Sequence, residues 1–310
     1  MNNIQHLKYA VEVEKAGSIS KAAENLFIAQ PHLSKAIREL ESSLGAAVFN
    51  RTSRGVVPTK KGREFLRYAK NILAQIEEME ALYKPANVEA QRFDICVPRA
   101  SYISFAFTEF VKELDHEKDI DVNYRETNSM RAIREVTDGT NNLAVIRYEA
   151  LHESYFLNAL EERDLQYEPV WEFEYLALMS AEHPLAKEDV IDFSQLSQYM
   201  ELVHGDISVP ALPISEARQM ARMPDHRKKI AVYERGSQFE LLIRIPTTYI
   251  WASPMPRDVL ERFSLVQKPC DMARNKYKDT LIYRKGYRMC DEDRLFIQKL
   301  HEAVRMVSEF

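Results

Sequence analysis

Apolar positions near the start of the chain recur every three or four residues, which predicts two short helices in succession. Ser18 can cap the first helix, and the small side chains of Ala22 and Ala23 let another helix approach closely. Pro31 is tolerated in the first turn of the second helix, and Gly45 suits the left-handed position that ends it. The buried stripe of the second helix has spacings of 4, 3 and 4 residues: Leu33, Ile37, Leu40 and Leu44. The pattern predicts a helix-turn-helix, although any two packed helices could show such a stripe.

The other side of the second helix is polar and basic, so this helix can enter the major groove of DNA. The residues expected to face the groove are Gln30, Pro31, His32, Ser34, Lys35 and Arg38. The stretch VFNRTSRGVVPTKKG (48–62) predicts a short hairpin, which would be the wing of a winged helix. Ser18 belongs to the same DNA-facing set, and the residues expected mostly on phosphates are Arg51, Thr52, Arg54 and Lys60. For each of these basic side chains, the alternative is that it is simply solvated and does not contact DNA.

Residues from Thr59 to Lys84 predict a long helix with the seam of a coiled coil. The seam positions are spaced 4, 3, 4, 3 and 4 residues apart: Phe65, Ala69, Ile72, Ile76, Met79 and Tyr83. About 24 residues would form a rod of about 36 Å. Leu66 and Leu73 would widen the stripe for a symmetric partner. The alternative is a helix that packs only on its own domain.

Beyond a polar stretch at 84–92, which we interpret as a hinge, strand patterns alternate with helical stripes. Helices are predicted around 103–114, 130–136, 239–245 and from Glu292 to Val307. The predicted strands are FDICV, DVNYRE, LAVIR, YLALM, MELVH, TYIWA and TLIYR. This alternation predicts an α/β domain with a parallel sheet.

The net charge of −5 is unevenly distributed along the 310 residues. The first 70 residues carry 12 Lys and Arg against six Glu, a charge of +6, while the remainder carries −11. A basic head on an acidic body indicates a polyanion partner at one end only, with an accidental surface bias as the alternative.

Other sequence features exclude several classes of protein. No apolar run approaches a membrane span, and the chain starts without a secretion signal, so we expect a cytoplasmic protein without a membrane partner. Three widely spaced cysteines indicate a reducing compartment and argue against a disulfide framework and a zinc site; buried free thiols are expected. GxSxG, P-loop and helix-opening GxGxxG motifs are lacking, and the histidines lack metal-ligand spacing. We therefore predict no enzyme, no catalytic residue, no metal and no cofactor.

The stretch GSISKAAENLFIAQPHLSKAIRELESSLGAAVFNRTSRGVVPTKKGREFL resembles the DNA-binding domain of LysR-type transcriptional regulators. The pattern Ala-Ala, Gln-Pro-x-Leu-Ser, Ile-x-x-Leu-Glu, Leu-Gly, Phe-x-Arg and Thr-x-x-Gly is present without gaps. Ala29 stands where Ser often caps the recognition helix, and Val48 stands where Leu is usual. The resemblance implies a homodimer through the linker helix, and a homotetramer, as a dimer of dimers, on an interrupted palindromic operator of double-stranded DNA.

For the second half, the resemblance implies an effector-binding domain similar in fold to periplasmic binding proteins. The implied parts are a DNA-binding domain at 1–59, a linker helix and hinge at 60–91, and an effector domain at 92–310. Two crossovers, near Trp171 and Val266, would divide the effector domain into lobe I (92–170 and 267–310) and lobe II (171–266). SAEHPLA (180–186) matches the family closely, whereas RIPTTYIW replaces a Gly-rich turn. A missing signal and the basic head contradict an exported solute-binding protein; an architectural DNA-binding protein with an inert second domain stays open.

Polar residues follow the carboxyl ends of the predicted strands, where open α/β sheets bind ligands. The residues expected to contact a small-molecule effector are Ser101, Tyr102, Asn128, Ser129, Arg147, His204 and Ser237. Helix N-termini at these turns suit an anion, which predicts a small anionic or polar metabolite. Alternatively, the Ser and Asn side chains simply cap their own helices, and Arg147 is a surface or salt-bridged base.

Overall fold

The computed structural model describes residues 4–52, 55–83, 90–205, 228–271 and 275–308. The chain divides into two compact units, one within residues 1–87 and the other holding residues 88–136 and 141–310. None of the helices in these described ranges is both long and apolar enough to cross a membrane.

The first unit is a helix-turn-helix followed by a hairpin and a long helix. Its elements are α1 (Ile4–Ala16), α2 (Ile19–Asn25), α3 (Gln30–Leu44), β1 (Phe49–Thr52), β2 (Gly55–Pro58) and α4 (Lys60–Tyr83). Ser18 caps α2, since its side-chain oxygen accepts a hydrogen bond from the Lys21 amide at 3.4 Å. Helix α3 begins at Ala29 without a side-chain cap and ends at Gly45, whose φ is +65°. The predicted winged helix-turn-helix and long helix are confirmed.

The junction between the wing and α4 explains three residues of the sequence pattern. The Glu41 carboxylate accepts hydrogen bonds from the amides of Val48 (2.8 Å) and Phe49 (3.0 Å), which ties α3 to the wing. Thr59 caps α4 by accepting from the Gly62 amide at 2.8 Å. A Cβ at Gly62 would lie 1.9 Å from the Val48 carbonyl oxygen, so only glycine permits this approach.

The second unit alternates strands and helices. Its strands are β3 (Gln91–Val97), β4 (Ile120–Glu126), β5 (Leu143–Glu149), β6 (Leu165–Glu174), β7 (Leu176–Ser180), β8 (Met200–His204), β9 (Lys229–Val232), β10 (Thr248–Ala252), β11 (Leu265–Lys268) and β12 (Lys276–Arg284). Its helices are α5 (Ser101–Lys112), α6 (Ser129–Thr137), α7 (Glu153–Glu161), α8 (Phe193–Leu196), α9 (Arg235–Arg244), α10 (Arg257–Arg262) and α11 (Asp291–Ser308). A short 3₁₀ turn covers Ala150–His152.

These strands form two sheets, one in each lobe. Lobe I has the order β4-β3-β5-β12-β6, and lobe II has the order β11-β7-β10-β8-β9. Strand β3 runs parallel to β4 and β5, whereas β12 runs antiparallel to β5 and β6. In lobe II, β7 is antiparallel to both neighbours. Both sheets are therefore mixed, not purely parallel as expected, because strands next to the crossovers pair antiparallel.

The crossovers lie later in the chain than predicted. Trp171 pairs with Asp279 in lobe I, because β6 continues to Glu174, and lobe II begins only after Tyr175. Val266 pairs with Met179 inside lobe II, and the return to lobe I follows β11. The proposed lobe boundaries shift accordingly by a few residues.

Helices cover both faces of the lobe I sheet. On one face α5 and α11 enclose Phe93, Phe110 and Phe296, whose ring centroids lie 4.7–5.9 Å apart. Each such buried ring contributes about 2–3 kcal/mol of hydrophobic stabilisation. On the other face α6 and α7 cover a second cluster. Cys96 and Cys270 are buried free thiols, but Cys290 is exposed, which corrects that expectation: it lies in the loop before α11, outside both clusters.

Candidate DNA interface and effector site

The exposed side of α3 carries most of the residues expected to face DNA. Gln30, Pro31, His32, Lys35 and Arg38 are all exposed. Lys35 lies 3.7 Å from Glu39, and the Arg38 Nε donates a hydrogen bond to the main-chain oxygen of Ser34. This side of α3 therefore presents hydrogen-bonding and positive groups to a partner.

Ser34 is placed differently from the expectation. Its side chain is 7% exposed, because it lies one turn before Ile37 and so turns towards the buried stripe. The prediction that Ser34 stands on the open side of the helix is wrong.

The wing pairs β1 with β2, from Phe49 opposite Pro58 to Thr52 opposite Gly55. Lys60 is exposed at the start of α4. Arg54 lies outside the described residues, as do the side chains of Arg51 and Thr52. Ser18 is half-buried and serves as the cap of α2.

The apolar stripe of α4 divides into two parts. Leu66 and Ala69 are buried in the first unit, so the early part of the helix packs on its own domain. Further along, Ile72 is 43% exposed and Met79 is 53% exposed. The later part therefore leaves apolar side chains uncovered.

A cavity of about 290 Å³ lies between the two lobes of the second unit. The lobe I wall is formed at the carboxyl ends of β3, β4 and β5, as expected for an open α/β sheet. From lobe II come His204, Arg235, Gln238 and the end of β10, including Trp251. The cavity is thus walled by strand ends and helix starts from both lobes.

Arg147 and Asp279 form a buried ion pair beside this cavity. The Arg147 Nε and Nη2 donate to the two Asp279 carboxylate oxygens at 2.7 and 2.6 Å. Burial works to lower the pKa of Arg147, but the Asp279 carboxylate reverses this and holds it above its ordinary value. The Tyr102 hydroxyl donates a short hydrogen bond to the Asp279 carboxylate. Arg147 is therefore the salt-bridged base of the alternative interpretation.

The polar residues at the helix starts are also occupied by intramolecular contacts. Asn128 caps α6 by accepting from the Arg131 amide at 3.0 Å. The Ser129 hydroxyl donates to the Arg147 carbonyl oxygen (2.6 Å) and accepts from the Arg147 amide (3.0 Å). These side chains hold the strand ends in place, and each retains capacity for a further hydrogen bond.

Arg235 of lobe II reaches across to lobe I. Its guanidinium donates to the hydroxyls of Ser101 and Ser104, both at 2.6 Å, and makes a short ion pair with Glu126. A second cavity of about 440 Å³ lies on the far side of Ser101 and Arg235, between α5, α9 and α10. The first cavity is the better candidate for an effector site, because the strand ends meet there.

Residues 4–63 match the model of the bacterial regulatory helix-turn-helix protein, lysR family. The helix-turn-helix part of the chain is that of the LysR family. Its relative YnfL, an uncharacterised HTH-type transcriptional regulator of Escherichia coli strain K12, is 28% identical over 200 residues, or 63% of each chain. The match therefore spans less than two thirds of that relative's length.

Two solved structures show the same fold as this chain. ArgP from Mycobacterium tuberculosis is 18% identical, with a TM-score of 0.66 over 98% of this chain and 97% of its own. Full-length LysG from Corynebacterium glutamicum, solved with bound effector Arg, is 15% identical, with a TM-score of 0.60 over 98% of each chain. At these identities the likeness concerns the fold alone.

The cavity brings together five of the seven residues predicted for the effector: Ser101, Asn128, Ser129, Arg147 and His204. Tyr102 is not among them, because it points into the lobe I core and is fully buried. Ser237 is exposed and does not line the cavity, because it lies on the outward side of α9. These two placements correct the predicted set.

Sequence reasoning missed other residues that line the cavity: Arg99, Glu149, His152, Arg235, Trp251 and Tyr277. Glu149 could have been found, because it continues the strand LAVIR with the same facing as Arg147. Arg235 is the first residue of α9, as Ser101 is the first residue of α5, but nothing local indicates that Arg235 crosses to the other lobe.

Proposed function

We propose that the protein is a DNA-binding transcriptional regulator whose binding to DNA responds to a small molecule in the cavity between the lobes. The observation that carries the proposal is the exposed side of α3, where Gln30, His32, Lys35 and Arg38 follow a tight turn from α2. A helix with this polar and basic side is the recognition element of a helix-turn-helix. Such a protein would act in the cytoplasm, where it reaches the chromosome.

The effector half of the proposal rests on the cavity. A site of this size at the strand ends of two lobes suits a compact metabolite. A ligand that binds one lobe arrangement better than another would shift the equilibrium between them. LysG, which shares the fold, was solved with bound effector Arg, and this supports a small polar effector here.

We further infer a homodimer that pairs through α4. Ile72 and Met79 are exposed along one side of this helix, and a second copy of α4 would cover them. Association of two dimers into a homotetramer on an interrupted palindromic operator rests on the family resemblance. Within this proposal, Ser18, Arg51, Thr52, Arg54 and Lys60 position the protein on phosphates, while Gln30 and His32 read bases.

Replacement of single DNA-facing residues tests the proposal. A duplex is first selected from a random pool by the wild-type protein. Gln30→Ala should then lose the preference for this duplex over an unrelated one, at a cost of about 1–3 kcal/mol on the selected duplex. Lys60→Ala should weaken both duplexes alike and reduce the slope of log affinity against log salt by about 1.

Fluorescence anisotropy over a salt series measures both effects. Lys187→Ala, an exposed lysine of the second unit, is the matched control and should behave as wild type. If Gln30→Ala and Lys60→Ala both bound as the control does, the assignment of α3 and the start of α4 to DNA would fail.

A further inference from the structure

Glu149 is an acidic side chain in the wall of the cavity, and among the described residues it has no lysine or arginine partner. It ends β5 on the same face as Arg147, and its side chain is 22% exposed. Within the described part of the chain, no lysine or arginine pairs with it; its recorded neighbour is the His152 Nε2, 4.0 Å from a carboxylate oxygen. A carboxylate enclosed to this extent favours a positive partner.

His152 offers a second unused group at the same place. Its side chain is 12% exposed, and its Nε2 is buried without a hydrogen-bond partner. Buried polar atoms are normally hydrogen-bonded, so an unsatisfied one in a cavity wall calls for an explanation. Two acceptors 4.0 Å apart can both lie about 2.8 Å from one nitrogen whose N–H bonds diverge.

Aromatic rings border these two groups. Tyr277 is the strand partner of Glu149 and stacks on Tyr175 with ring centroids 4.0 Å apart. Burial, and then the closeness of Tyr175 and Glu149, raise the pKa of Tyr277, so its hydroxyl keeps its proton and the side chain stays neutral. Aromatic faces beside a carboxylate attract cations.

Two of the three arginines that line the cavity are already neutralised by carboxylates. Arg147 is neutralised by Asp279, and Arg235 is neutralised by Glu126. Arg99 donates from Nη2 to the main-chain oxygen of Tyr233. At Arg147 and Arg235 an anionic ligand would compete with the carboxylates already in place, whereas a cationic ligand would find the Glu149 carboxylate available.

We propose that Glu149, the His152 Nε2 and the Tyr175–Tyr277 pair form a subsite for an organic cation, so that the effector carries an ammonium or guanidinium group. The ligand nitrogen donates to the Glu149 carboxylate and the His152 Nε2, and it lies against the aromatic faces. This inference rests on the proposed function, since it names the chemical class of the effector. It replaces the expectation of a simple anion.

Calorimetry with matched pairs of compounds tests the subsite. The cations are L-arginine, L-lysine and putrescine, and their neutral counterparts are L-citrulline, L-norleucine and 1,4-butanediol; glutarate serves as the anion. We expect at least one cation to bind at least tenfold more tightly than its counterpart. Glu149→Gln should reduce that affinity at least tenfold. Glu161→Gln is the control, since it makes the same change at an exposed glutamate of the same lobe, and it should leave the affinity unchanged.

Each alternative result is decisive. Equal binding of the cation by wild type and Glu149→Gln would overturn the subsite, provided that the thermal unfolding of the variant shows a folded protein. Binding of only the neutral or anionic compounds would overturn it too, but would leave a ligand-responsive regulator intact. If none of the compounds bound, the cation subsite would be rejected, and the DNA measurements above would decide separately whether the regulator proposal stands.

Discussion

At the scale of single residues, His183 shows how burial of a titratable side chain makes the stability of the folded protein depend on pH. It is 3% exposed, its Nδ1 accepts a hydrogen bond from the Leu185 amide at 3.0 Å, and its ring lies 4.5 Å from that of Tyr199. Burial lowers its pKa from 6.5 to about 4. Protonation at Nδ1 would break the hydrogen bond, so the folded protein requires the neutral imidazole.

The sign of the resulting pH dependence follows from this pKa. Between pH 6.5 and pH 4 the unfolded chain binds a proton at His183 that the folded chain does not, so stability falls as the pH falls. From pH 7 to pH 5 we expect a loss of about 2 kcal/mol in the free energy of unfolding. His183→Asn keeps an acceptor for Leu185 but does not titrate, and urea unfolding across this range should show a shallower decline.

His301, which is exposed on α11, provides the control, because His301→Asn should retain the wild-type decline. Parallel curves for wild type and His183→Asn would show that another group causes the acid sensitivity.

At the scale of elements, α4 packs on its own domain near its start but leaves the apolar side chains of Ile72 and Met79 exposed further along. Ile72→Asp would place a charge in the centre of its exposed apolar side. If a second copy covers this side, the charge would be buried without a partner, and dimerisation should weaken at least about 100-fold. Light scattering should then give the mass of a monomer, and Ile72→Leu should remain a dimer.

Gln75→Asp adds the same charge at an exposed polar position nearby and should also remain a dimer. An unchanged mass for Ile72→Asp would remove α4 from the dimer interface.

The elements also show how far the sequence determines the fold. MELVH and TYIWA coincide with β8 and β10, because their apolar runs are continuous and end in turns. Strand β6 was not predicted, because Glu168, Pro169 and Glu172 interrupt its apolar pattern. The strand forms by pairing with β12, which is distant in the sequence. For the cavity, strand ends located Ser129 and Arg147, whereas Arg235 contacts Ser101 across 134 residues of sequence. Contacts that form only when the lobes meet leave no local signal.

At the scale of the whole effector domain, Arg235 holds the two lobes together. Its guanidinium is bound by Ser101, Ser104 and Glu126, and both members of the ion pair are less than one-fifth exposed. The Ser101 hydroxyl, expected to contact an effector, is thus engaged by a cation of the opposite lobe. A ligand in the cavity would bind next to this contact and could strengthen or displace it.

A double-mutant cycle measures this contact between the lobes. Arg235→Ala and Glu126→Ala should each destabilise the effector domain, and the coupling free energy from urea unfolding should be about 1–3 kcal/mol, because the pair is largely shielded from water. The exposed pair Lys276–Glu172 is the control and should show weaker coupling. Since Arg235 joins residues of both lobes, Arg235→Ala should also speed hydrogen exchange at the starts of α5 and α9 together. Coupling no larger than that of the control, with exchange unchanged at both helices, would mean that the lobes are held by other contacts.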